Sequence, residues 1–188
     1  MPVYHFKPLT PEIWPDFEQL FGPRGAYGGC WCMWWRLSRK EFEQNQGDSN
    51  KLAMKSLVDS RKIPGIILYR DDQPAAWCSV APREDYAALE RSRLLKRRND
   101  HSTWAIVCMF VDRRYRHQGL GRQLINAALD YVKQRGGKRI EAYPTIPKSK
   151  NIPPVSSFMG FPALFAGAGF NEVAKVSPSR MIMEYIFD

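Results

Sequence analysis

The chain has 188 residues, 44% of them hydrophobic, which suits one globular domain with a sizeable core and excludes a disordered chain. Its 28 lysines and arginines against 19 acidic residues leave a net charge of +9, which favours a polyanionic partner, either nucleic acid or a small ligand carrying several phosphates. Four cysteines are too few for a disulfide framework, and neither their spacing nor the three scattered histidines matches a zinc site, so no metal is expected.

No repeat or low-complexity linker interrupts the sequence, and a single domain over residues 1–188 is expected. The opening MPVYHFKPLT has no basic start and no long apolar run, which reads as no signal peptide. The longest apolar run, Trp104–Val111, is too short to cross a bilayer, so the expectation is a soluble, cytoplasmic protein without membrane partners. Residues Val3–Leu9 read as a strand. Thr10 and Pro11 then open a helix that Gly22 stops. Next comes YGGCWCMWWRLS, residues 27–38, with three tryptophans and two cysteines in twelve positions. A second helix is predicted from Asp48 or Ser49 to about Arg61, with Leu52, Leu57 and Val58 toward the core. Gly65–Pro82 reads as a hairpin turning at Asp71–Gln73.

The charged stretch from Arg83 to His101 contains the densest basic run, RSRLLKRR, which reads as a solvated surface. Thr103–Val111 follows as a continuous apolar strand, expected to be buried on both faces. Leu120, Leu124, Ala128 and Tyr131 then fall on one stripe of an amphipathic helix that ends at Gly136 and Gly137. Lys138–Pro144 returns as a strand, and strand, helix, strand at this spacing predicts a parallel crossover. A proline-rich loop, Pro144–Pro154, leads to a short helix near Pro162–Ala168, and a last hairpin closes the chain. The fold class is therefore α/β (α+β), a mixed sheet with helices on both faces.

The stretch most informative about chemistry is VCMFVDRRYRHQGLGRQLI. A strand runs into Arg116-x-x-Gly119-x-Gly121, and a helix starts there. Two glycines let backbone approach a ligand, the first-turn N–H groups of a helix have no partners within it, and the helix dipole adds positive potential. With Arg113, Arg114, Arg116 and Arg122 around it, such a loop is suited to a diphosphate. It is neither a Walker loop nor a dinucleotide G-x-G-x-x-G. Read without further context, the two glycines could equally serve only a tight turn.

This loop, the strand order and the ending ALFAGAGF together resemble the GNAT superfamily of acyl-CoA-dependent N-acetyltransferases, across nearly the whole chain. The resemblance implies a mostly antiparallel sheet, splayed at the strand before the loop. It implies acetyl-CoA as co-substrate, with its diphosphate on the amides of His117, Gln118, Gly119, Leu120, Gly121 and Arg122 beside Arg116. The pantetheine arm would follow Met109, Phe110 and Val111, where N–H groups at the splay would polarise the thioester carbonyl. A primary amine of a small molecule or peptide would attack directly.

Two departures from the family pattern stand out. The strand before the loop carries no glutamate, and Phe165 occupies the usual tyrosine position. Glu141 and Tyr143, on one face of a neighbouring strand, are the expected catalytic pair, with Glu84 and Asp85 as the second carboxylate choice. The resemblance also puts Trp31, Trp34, Trp35 and Arg36 beside the acceptor, as part core and part pocket wall, with Cys30 and Cys32 as small packing residues. The Pro144–Pro154 loop with SSFMGF would close the pocket from the opposite side. A CoA-binding regulator and a nucleic-acid-binding protein are the rival readings, the latter resting on charge alone. Monomer and homodimer are both compatible with the sequence.

Overall fold

Asp71 and Asp72 both take left-handed φ, 47° and 61°, the conformation of a tight hairpin turn whose twist matches that of its strands. They join β2 (Ile66–Arg70) to β3 (Gln73–Pro82). In the computed structural model, which describes residues 2–99, 101–147 and 157–188, this hairpin lies within a seven-stranded sheet. The other strands are β1 (Tyr4–Pro8), β4 (Trp104–Val111), β5 (Arg139–Ala142), β6 (Asn171–Ser177) and β7 (Arg180–Ile186), and the order across the sheet is β1-β2-β3-β4-β5-β7-β6. Among the described residues only β4 and β5 are parallel, joined by helix α5 (Leu120–Gln134), so the expected crossover is present in a mostly antiparallel sheet.

Strand alternation divides the core between the two faces. Ile66, Leu68, Ala76, Cys78, Val80 and Ile106 pack with Leu124, Ile125, Ala128 and Val132 of α5. Ile67, Tyr69 and Trp77 point the other way, against α1 (Trp14–Phe21) and α3 (Asp48–Asp59). Helix α1 buries Trp14, Phe17, Leu20 and Phe21, and Tyr69 Oη donates to Asp16 Oδ2 at 2.6 Å, tying helix to strand. Two short helices, α2 (Arg39–Gln44) and α4 (Ala87–Glu90), lie outside the predicted elements. The first carries a capping box that the sequence spelled as Ser38-x-x-Glu41: Glu41 N–H donates to Ser38 Oγ, and Ser38 N–H donates to Glu41 Oε2. The short helix predicted near Pro162–Ala168 is α6 (Pro162–Ala166).

The core face of α3 differs from the prediction. Asn50, Met54 and Val58 are buried at every fourth position, whereas Leu52 is 68% exposed. Asn50 sets the helix rotation, because its Nδ2 donates to the Gly29 carbonyl at 3.1 Å, and Leu52, two residues on, is then carried to the solvent side. Nor is β4 buried along its whole length. Ala105, Ile106 and Val107 are enclosed, but Cys108–Val111 are only half-buried. The cause is topological: β4 pairs with β5 only from Trp104 to Ile106, and beyond that the two strands diverge. Residues 148–154 of the expected Pro144–Pro154 pocket loop, and 155–156 after it, lie outside the described residues.

The rotation of α3 makes a direct prediction. Met54→Ala should lower the unfolding free energy by about 2–5 kcal/mol, while Leu52→Ala should stay within about 0.5 kcal/mol, both measured by urea denaturation.

Candidate active site

The loop after β4 is built by local backbone constraints. Asp112 Oδ1 accepts from Arg114 N–H at 2.8 Å and its carboxylate pairs with the Arg114 guanidinium, which holds the Asp112 carboxyl below its ordinary range. Arg116 Nε donates to the Val111 carbonyl at 3.1 Å, clamping the loop to the end of β4. His117 and Gly119 then take left-handed φ of 61° and 80°, and α5 begins at Leu120. Among the described residues, the backbone N–H groups of residues 116–121 make no hydrogen bond. They are the orphan donors of a helix N-terminus, and Arg113, Arg114, Arg116, His117 and Arg122 surround them at the surface. The two glycines are not equivalent. A Cβ at Gly119 would meet open space, so what favours glycine there is the positive φ. A Cβ at Gly121 would come 3.2 Å from Leu164 of α6, so glycine there allows close helix packing.

Before this loop, the divergence of β4 from β5 opens a wedge, and the turn at Phe158–Gly160 enters it. Met109 N–H donates to the Phe158 carbonyl at 2.6 Å, and Thr145 N–H donates to the Gly160 carbonyl at 2.9 Å. The turn thus bridges β4 and the chain just past β5, where the ladder between the two strands has ended. No periodicity in SSFMGF pointed to this; Gly160, at φ 73°, was the only local signal.

The tryptophan-rich segment separates into three environments. Trp31 is core: it is 4% exposed and stacks on Phe21 with ring centroids 5.8 Å apart. Its remaining edge borders a separate shallow cleft with Glu18, Gly22 and Lys51. Trp34 is 39% exposed and sits edge-on to Phe42 at 5.0 Å. Trp35, with Cys108, Phe158 and Val176, is a partly buried residue at the margin of a third core cluster. Its Nε1 is buried without a hydrogen-bond partner among the described residues. Arg36 turns inward: Nη2 donates to the Pro64 carbonyl at 3.0 Å, Nη1 to the Asp85 carbonyl at 3.4 Å, and the guanidinium lies 4.4 Å from the Tyr86 ring centroid.

Glu141 and Tyr143 do share a strand face, but it is closed. Tyr143 has no exposed surface and its Oη donates to Glu141 Oε2 at 2.7 Å. Arg83, 1% exposed, donates through Nη1 to both Glu141 Oε2, at 3.1 Å, and Tyr143 Oη. Arg83 also donates through Nε to Glu90 Oε1 at 2.7 Å and through Nη2 to the Leu95 carbonyl. Burial, and after it the Glu141 charge, raises the Tyr143 hydroxyl well above its ordinary range. The proton-transfer roles expected of Glu141 and Tyr143 do not fit this placement, because both side chains are enclosed and the Tyr143 hydroxyl and Glu141 Oε2 are bonded to each other and to Arg83. Phe165 is likewise enclosed, edge-on to Phe170 at 5.2 Å in the core on the α5 side. Glu84 is largely exposed beside Arg97 at 3.8 Å, and the Asp85 carbonyl serves Arg36.

The chain matches the Acetyltransferase (GNAT) family over residues 31–153. No curated protein matches it in sequence. Among solved structures it is similar to the PaiA N-acetyltransferase of Thermoplasma acidophilum in complex with coenzyme A, at 14% identity and a TM-score of 0.53, covering 98% of this chain and 99% of that one. It is similar to yncA of Salmonella typhimurium with its cofactor acetyl-CoA, at 14% identity and a TM-score of 0.54, over 98% and 94%. A Bacillus halodurans protein gives 14% identity and a TM-score of 0.58, over 97% and 83%. At these identities the likeness is one of fold. No helix among the described residues is long and apolar enough to cross a membrane.

The closed network behind β5 predicts a stability effect. Arg83→Met should cost about 3–5 kcal/mol in urea unfolding, because Glu141 is left buried beside no cation. Adding Glu141→Gln to that variant should recover most of the loss, whereas purely additive effects would show that the pair does not act as a unit.

Proposed function

The chain belongs to the GNAT acetyltransferase family, and from that premise we propose that it is an N-acetyltransferase moving the acetyl group of acetyl-CoA to a primary amine. The observation that carries this reading is one of sequence in space: the β4–β5 ladder ends at Ile106, and the unpartnered amides of the Arg116–Gly121 loop follow at the end of the same strand. The amides from His117 to Gly121 hold the diphosphate, with the Arg116 and Arg122 side chains beside them, since the Arg122 amide expected to share in it donates to the Gly119 carbonyl at 3.1 Å, and the pantetheine arm follows Met109, Phe110 and Val111. Phe158 releases the Met109 N–H before the cofactor enters, freeing a donor for the thioester carbonyl.

The neutral amine attacks the thioester carbon, the C–N bond forms, and collapse of the tetrahedral intermediate breaks the C–S bond and expels the CoA thiolate. Trp35 walls the acceptor side, with Trp34 and Arg36 at its margin; Trp31 is left to the core. The acceptor is a small-molecule or peptide amine, and the protein acts in the cytoplasm as a monomer or homodimer. Two observations favour a second reading, a CoA-binding protein without turnover: the Met109 amide is already occupied, and the Glu141 and Tyr143 side chains are enclosed.

Calorimetry with acetyl-CoA tests the first part. Gly119→Glu places a carboxylate in open space before the orphan amides and should weaken binding on the order of 100-fold, the equivalent of about two charge-assisted hydrogen bonds, with an unchanged far-UV spectrum. Undiminished affinity in that variant would remove the loop from the site. Thiol release with a panel of amines separates the two readings, since a binding protein releases none. With an active amine in hand, Trp35→Ala should raise the acceptor KM about tenfold, what roughly 1.4 kcal/mol of lost aromatic contact gives, and leave the acetyl-CoA KM unchanged.

A further inference from the structure

The basic run at residues 91–98, after α4, is an irregular loop pinned from beneath. Arg83 Nη2 donates to the Leu95 carbonyl, and Leu95, 2% exposed, belongs to the third core cluster. The Leu95 N–H donates to Ser92 Oγ at 3.1 Å. At the start of the run, Arg91 and Ser92 N–H continue the turn of α4 by donating to the Ala87 and Leu89 carbonyls. With the loop fixed at its central leucine, the neighbours face outward. Arg91, Arg93, Leu94, Lys96 and Arg98 are all exposed, Leu94 by 47%.

The carboxylates at hand are spent on a different arginine. Glu90 is shared between Arg83 Nε, at 2.7 Å, and Arg97, at 3.4 Å, and Glu84 lies 3.8 Å from Arg97. Among the described residues, no ion pair reaches Arg91, Arg93, Lys96 or Arg98. These like charges repel, and on a free coil they would spread apart; a loop pinned at Leu95 keeps them together. A solvated face needs charge, but neither a single sign nor an exposed leucine among the cations. The run also has a defined position. Ala88 N–H, within α4, donates to the Trp35 carbonyl at 3.0 Å, and the Asp85 carbonyl accepts from Arg36 Nη1 at 3.4 Å. The cations therefore follow directly on a segment bonded to the residues proposed above as the acceptor wall.

We propose that residues 91–98 are a docking surface for an acidic peptide stretch, and that the acceptor is a primary amine carried by such a peptide, either its terminal amine or a lysine. The second half of this rests on the acetyl transfer proposed above. Carboxylates of the peptide meet Arg93, Lys96 and Arg98, an apolar side chain covers Leu94, and the amine reaches past Trp35. Nucleic acid has the complementary charge but lacks the rest. Its exocyclic amines are delocalised into the bases and are poor nucleophiles, and its phosphates offer Leu94 nothing to be buried against. Cationic acceptors such as polyamines are repelled by the same field. Each contact is an exposed charge pair worth under about 1 kcal/mol, so the surface selects and steers the acceptor without holding it tightly.

The test compares two peptides of equal length with a free lysine, one rich in glutamate and the other with glutamine in the same places. Both serve as labelled probes in fluorescence anisotropy and as acceptors in thiol release with acetyl-CoA. The glutamate peptide should bind more tightly and show a kcat/KM about tenfold higher, an advantage that shrinks as salt is raised. Arg93→Glu combined with Lys96→Glu should raise the KM of the glutamate peptide about tenfold, with kcat, the glutamine peptide and acetyl-CoA unaffected. Arg98→Glu should act in the same direction by a smaller factor, and it serves if the double variant fails to fold. Equal use of the two peptides, or a preference that survives charge reversal, would overturn the docking surface while leaving acetyl transfer intact. Binding of the glutamate peptide that charge reversal abolishes, with no thiol released from any peptide, would support the surface and remove the transfer reading beneath its role. Single-stranded RNA bound through the same residues, at a salt concentration where the glutamate peptide is not, would overturn the proposal in favour of a nucleic-acid partner.

Discussion

The organising constraint of this molecule is that β4 keeps one neighbour and loses the other. Its ladder to β3 runs the length of the strand, while its parallel pairing with β5 stops after Ile106. Backbone groups cannot be left unpaired in an interior, so the divergence has to be filled from elsewhere. The Phe158–Gly160 turn fills part of it, with one hydrogen bond to β4 and one to Thr145, just past the end of β5. The same divergence leaves Cys108–Val111 half-buried in an otherwise enclosed strand, and it delivers the chain to the Arg116–Gly121 loop with a row of free amides.

One buried and one half-buried arginine organise the face opposite α5. Arg83 gathers Glu141, Tyr143, Glu90 and the Leu95 carbonyl, joining the segment after β3 to β5 near the base of the wedge. Arg36 lies between the Pro64 and Asp85 carbonyls and the Tyr86 ring, joining the tryptophan-rich segment to the sheet. The two differ in one respect that matters chemically. Arg83 is matched by carboxylates, so its network is inert; Arg36 is held by neutral groups, so its charge remains available to a nearby anion.

What was legible in the sequence was what local chemistry decides. The loop could be read because Arg116, Gly119 and Gly121 act within a few residues of one another, and the strand–helix–strand crossover because hydrophobic periodicity specifies it. Leu52 was misjudged because the rotation of α3 is set by Asn50 reaching back to Gly29, a contact that periodicity does not contain. Glu141 and Tyr143 were correctly put on one face, but the group that closes that face, Arg83, lies 58 residues from Glu141 in the chain. The tryptophans could not be sorted from spacing, since the left-handed turn at Trp31 and Cys32 decides which ring enters the core. The turn that enters the wedge was invisible for a related reason: a carbonyl acts there, and every residue has one.

The hydrogen bond from Met109 to Phe158 has a kinetic consequence. Any molecule that uses the Met109 amide must wait for the turn to vacate it, so only the open fraction of the protein is competent to bind, and the apparent affinity is lowered by that fraction. In stopped-flow mixing the observed rate would then level off at high ligand concentration instead of climbing in proportion to it, and the plateau would be the frequency with which Phe158 lets go.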